Sequence, residues 1–123
     1  MAKKKRRESN FVIFARLAHE LAKKEFAPYS HPKSPKKYTQ PQLVACILLM
    51  HRMRLSYRDM EEWLLASDAV VSELGLKEVP NYSTLARAVA RLLTLAHIDR
   101  LNTQLLRDLE IEEEAVAIDA TGY

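Results

Sequence analysis

The chain has 123 residues, 48% of them hydrophobic, and a formal net charge of +3, which suits one globular domain with a modest core. A single cysteine, Cys46, excludes a disulfide framework or a cysteine cage for metal, and the longest apolar run, Leu43 to Met50, is far short of the roughly 20 residues that cross a bilayer. No leading segment has the order of a signal peptide, so the expectation is a soluble, cytoplasmic protein without a membrane partner.

The charge is unevenly placed. Residues 1–37 carry eleven Lys/Arg against three Asp/Glu, whereas residues 38–123 carry eight against thirteen. The front of the chain is a basic arm, and its cations, Lys3, Lys4, Lys5, Arg6 and Arg7 at the start, suit nucleic-acid phosphate, whose neutralisation releases counterions. The same five residues equally suit a solvated tail.

Asn10 is placed to cap a first helix reaching about Phe26, with Phe11, Phe14, Ala18 and Leu21 on one face and Arg16, Glu20, Lys23 and Lys24 on the other. Residues 27–38 hold Pro28, Pro32 and Pro35 with Lys33, Lys36 and Lys37, a composition that reads as an extended, basic linker. Thr39 and Gln42 have the form of a capping box, and Pro41 sits in the first turn, where its missing N–H costs little. The second helix that starts there is apolar all round from Leu43 to Met50, which predicts the central buried helix.

Ser56 with Asp59 repeats the cap for a third helix, with Tyr57, Met60, Trp63 and Leu64 inward and Arg58, Glu61 and Glu62 wet. A short fourth helix runs from Asp68 to Leu74 and stops at Gly75, because glycine takes the left-handed cap most cheaply. After a connector containing Pro80, Ser83 is placed to cap a fifth helix with Leu85, Ala88, Val89 and Leu92 on one side. A sixth, from about Ala96 to Leu109, carries Ile98, Leu101, Leu105 and Leu109, and the acidic Glu110 and Glu112 to Glu114 separate it from a terminal apolar strand over 115–123. The fold class is therefore all-α, a multi-helix domain ending in one short strand. Its parts are the arm, first helix and linker (1–38), the helical domain (39–110) and the strand.

On the fifth helix, Thr84, Arg87 and Arg91 share an arc of about 60° away from the apolar face. Arginine matches phosphate and guanine edges, and the alanines at 86, 88 and 90 keep the helix slim. Preceded by two short helices and a Gly-containing turn, residues 83–93 have the form of the recognition helix of a helix-turn-helix. An ordinary surface helix with two exposed arginines has the same pattern. The four histidines, His19, His31, His51 and His97, show no ligand spacing. Asp119, at the polar end of the terminal strand, is placed either to hold a hard cation with other carboxylates or to make a turn with Thr121 and Gly122.

In order, the segments His31 to Thr39, Leu55-Ser56-Tyr57-Arg58-Asp59-Met60, Leu74-Gly75-Leu76, Val79-Pro80-Asn81-Tyr82-Ser83-Thr84-Leu85 and Ala117-Ile118-Asp119-Ala120-Thr121-Gly122-Tyr123 resemble the N-terminal region of insertion-sequence DDE transposases. The resemblance implies a helical region that binds terminal-repeat DNA, ahead of an RNase H-like domain whose three acids hold two Mg²⁺ ions. It matches Asp119 to the first of those acids, while the second Asp and the Glu have no counterpart among residues 1–123. A lone carboxylate cannot clamp two metals.

The expectation is thus a truncated transposase that binds DNA without cutting it. Thr84, Arg87 and Arg91 would sit in a groove, with Lys33, Lys36, Lys37 and residues 3–7 on phosphates. No cofactor is expected as the chain stands, and self-association or a full-length transposase is the further partner. The rivals are a stand-alone helix-turn-helix regulator and a helical interaction module or decayed gene product.

Overall fold

The computed structural model describes residues 7–29 and 37–121, with side chains as far as Ile111. Those residues form six helices and no strand: α1 (Asn10–Glu25), α2 (Gln40–Met53), α3 (Tyr57–Leu65), α4 (Asp68–Glu73), α5 (Tyr82–Leu92) and α6 (Leu95–Thr121). None of them is long and apolar enough to cross a membrane.

Helix α2 is the hub, packed against α1, α3, α5 and α6. Its residues Val44 to Leu49 are wholly inaccessible, as a helix with apolar side chains on every face requires. Thr39 and Gln42 close the expected capping box: the Thr39 hydroxyl accepts from Gln42 N–H at 3.2 Å, and Gln42 Oε1 accepts from Thr39 N–H at 2.9 Å. Helix α1 runs antiparallel to α2. The end of α1 meets the start of α2 where Gln40 N–H donates to Pro28 O and Gln40 Nε2 to Ala27 O, and near its other end Phe14 lies under the Arg52 guanidinium, 4.7 Å away.

Two of the helices, α4 and α2, end in left-handed caps. At Gly75 (φ +68°), the N–H groups of Gly75 and Leu76 return to Ser72 O and Val71 O, which closes α4. Helix α2 ends the same way at Arg54 (φ +57°), whose N–H and that of Leu55 return to His51 O and Met50 O. A side chain at such a φ costs on the order of 1 kcal/mol that glycine avoids.

Several local starts differ from the sequence reading. Ser9 caps α1 in place of Asn10, accepting from Phe11 N–H, and Asn81 caps α5 in place of Ser83. Phe11 is 41% exposed and meets Trp63 edge-on at 5.5 Å between centroids, so Trp63 is half-buried against the core and not at its centre. Arg16, assigned to the wet face, bonds Glu8 and, at 2.9 Å, Glu73, tying α1 to α4. Both carboxylates hold its guanidinium charged, Glu8 the more strongly.

The terminal strand is a correction. The backbone stays helical through Thr121, so the acidic run at 110–114 lies inside α6 and the expected break at Leu109 does not occur. A strand needs neighbours to take its N–H and C=O groups, whereas a helix satisfies them within itself. Glu112 to Glu114 and the alanines at 115, 117 and 120 also favour helix by intrinsic propensity.

Candidate nucleic-acid interface

Helix α5 is anchored at its first turn more firmly than its sequence suggests. Asn81 Oδ1 accepts from Thr84 N–H at 2.9 Å, from Ser83 Oγ at 2.7 Å and from Thr84 Oγ1 at 3.1 Å. Glu61 of α3 accepts the next free backbone donor, Tyr82 N–H, at 2.7 Å. One turn earlier on α3, the Arg58 guanidinium lies over the Tyr82 ring, 4.2 Å from its centroid. The two α3 side chains therefore hold the start of α5 from two directions, one by a charge-assisted bond and one by cation–π contact.

Below that turn, Leu85 and Ala88 are buried and Val89 and Leu92 pack against the core, so the helix cannot rotate. Arg87 and Arg91 are exposed, and among the described residues neither makes an ion pair or hydrogen bond. Thr84 differs from its expected role: it is half-buried and its hydroxyl donates to Asn81, so its first task is to close the helix start. Helix α5 packs against α2 and α3 and not against α4. The connection from α3 to α5 spans residues 66–81 and contains α4, longer than the short turn of the simplest helix-turn-helix.

The basic arm is only partly within reach. Lys3, Lys4, Lys5, Arg6, Lys33 and Lys36 lie outside the described residues. Arg7 is exposed just ahead of α1. Lys37 does not stand free for phosphate: its ammonium pairs with Glu78 and lies 5.9 Å from the centre of the Tyr38 ring.

Asp119 stands in the last turns of α6, beyond the residues whose side chains are described. Among the described residues no group of three or more His, Cys, Asp or Glu converges on a point that would hold a metal. The resemblance implies Mg²⁺ only for a full-length parent; here the Asp119 backbone belongs to α6 and not to the expected strand, and its side chain lies outside the described residues. His97 is engaged elsewhere, with Nε2 3.0 Å from Glu25 Oε2 and its ring stacked on Phe26. Burial and Lys23 push the His19 imidazole below its ordinary pKa.

Arg58, Glu61, Asn81 and Tyr82 were not identifiable as a set from sequence. Arg58 and Glu61 read as a solvated face and Tyr82 as connector, and only Asn81, in a Pro-Asn-Tyr-Ser-Thr run, carried a cap signal. The chain matches no family model, no curated protein and no solved structure.

Proposed function

We propose that this protein binds duplex DNA through α5, with the terminal repeats of an insertion sequence as its site, and that it binds without cutting. The observation that carries the reading is the pair of exposed arginines, Arg87 and Arg91, unpaired among the described residues, on a helix whose start is clamped by Asn81, Glu61 and Arg58. Rigid placement matters because an arginine held by a fixed helix loses less conformational freedom when it meets a base edge or phosphate. Helices α3 and α5, packed together on α2, form the helix-turn-helix pair of this reading, with α4 in the connection. The transposase parentage rests on the motif resemblance, and the absence of a strand under Asp119 gives it no support. A stand-alone regulator using the same helix gains from that observation, since it has no need of a catalytic strand.

The test is selection from a randomised duplex pool, followed by titration of Arg87→Ala on the selected site and on a mixed-sequence duplex. If Arg87 reads a base edge, the variant loses about 1–3 kcal/mol on the selected site and less on the mixed one. Recovery of a terminal-repeat sequence supports the transposase reading, and a short palindrome supports the regulator. Absent or salt-independent binding by the unaltered protein sinks both.

A further inference from the structure

Arg58 is exposed, its guanidinium carbon lies over the Tyr82 ring 4.2 Å from the centroid, and it makes no ion pair or hydrogen bond among the described residues. A cation–π contact consumes none of the guanidinium N–H donors, so they remain open to take a phosphate in bidentate fashion. Its position also matters. At roughly 100° per residue Tyr82 lies about 140–180° round α5 from Arg87 and Arg91, so Arg58 sits on the far flank of the same helix. Helix α3 supplies from that side a cation that α5 itself lacks there.

We infer that Arg58 is a second DNA contact, a phosphate clamp seated on Tyr82, gripping the strand across the groove from Arg87 and Arg91. The inference rests on the DNA-binding reading above. A helix about 10 Å across fills a major groove about 12 Å wide, so its two flanks face the two phosphate backbones. Glu61 supports the arrangement without pairing with Arg58: its Oε1 accepts from Tyr82 N–H, and the two side chains form no ion pair.

The experiment measures affinity of the full chain for a mixed-sequence duplex several helical turns long, across a salt series. Arg58→Gln is expected to weaken binding by a similar factor on selected and mixed duplexes and to shrink the salt slope by about one counterion. Arg58→Lys keeps the charge and is expected to keep the slope, while Arg107→Gln, an exposed cation on α6 away from α3 and α5, is expected to leave both affinity and slope unchanged. An unchanged slope in Arg58→Gln overturns the clamp while leaving the role of α5 standing. The clamp is equally overturned if Arg58→Lys loses the slope as Arg58→Gln does, which marks a purely structural role, or if Arg107→Gln loses it, which marks a general charge effect. A wild-type chain that fails to bind any duplex overturns the DNA reading itself.

Discussion

Replacing Gln42 by Glu sets local and tertiary logic against each other. Locally the change is favourable: Thr-x-x-Glu is the commoner capping box, and a negative charge in the first turn of α2 gains about 0.3–1 kcal/mol from the helix dipole. In the fold, however, Gln42 Nε2 donates to Leu74 O at 2.9 Å and Gly75 O at 3.1 Å, the two carbonyls that end α4. The partners fix the amide orientation, since Thr39 N–H requires an oxygen and the two carbonyls require N–H donors. Glutamate turns that donor into a carboxylate oxygen facing two carbonyl oxygens.

Two lost hydrogen bonds cost about 2 kcal/mol, and repulsion that swings the side chain out forfeits the Thr39 bond for about 1 more. Against the dipole gain, the net destabilisation is about 2 kcal/mol, a fall in Tm of roughly 8 °C for a chain of this size. Thermal unfolding followed by circular dichroism near neutral pH reads it directly. Below about pH 4 a protonated Glu regains a donor, and the deficit should narrow. A Gln42→Glu protein as stable as wild type near neutral pH would refute the link between α2 and the end of α4.

Two further predictions concern groups away from the interface. Burial pushes the Cys46 thiol up to about 12, so thiol reagents should leave the folded protein unmodified at neutral pH and label it only on unfolding; labelling at the rate of a free thiol without loss of helicity would contradict its place in α2. Glu25 is held below the ordinary carboxylate range by its hydrogen bonds to His97 and then Arg100, which join the end of α1 to the start of α6. Because that pKa is depressed in the fold, the stabilisation is present above the unfolded value of 4.5 and is lost as pH falls through the folded one. Glu25→Gln should cost about 0.5–1 kcal/mol at neutral pH, with the gap to wild type closing in acid; a constant gap from neutral pH into strong acid would show that the carboxylate charge is not its source.

Where a feature depended on a few consecutive residues, it was legible. The apolar run from Leu43 to Met50 identified the central helix, Thr39-Gln40-Pro41-Gln42 its start, Ser56 the start of α3 and Gly75 the stop of α4. Each rests on periodicity or on a side chain reaching backbone three or four residues away. The cap at Arg54 was illegible for a related reason, since nothing in a basic stretch announces a left-handed residue that glycine would fill more cheaply.

The candidate interface divides along the same line. Arg87 and Arg91 were readable as an exposed pair because both lie on one helix, whose periodicity fixes their common face. Arg58 on Tyr82, Glu61 on Tyr82 N–H and Lys37 on Glu78 join residues 21 or more positions apart, and only helix packing decides which wet faces meet. Sequence alone thus determined an all-helical body built round α2 and a basic edge on α5. Tertiary structure decided that α3 clamps α5, that Thr84 closes a cap and that Gln42 holds α4. It also decided that the backbone up to Thr121 stays helical, where it meets its own hydrogen bonds and the described residues offer no neighbouring strand to receive them.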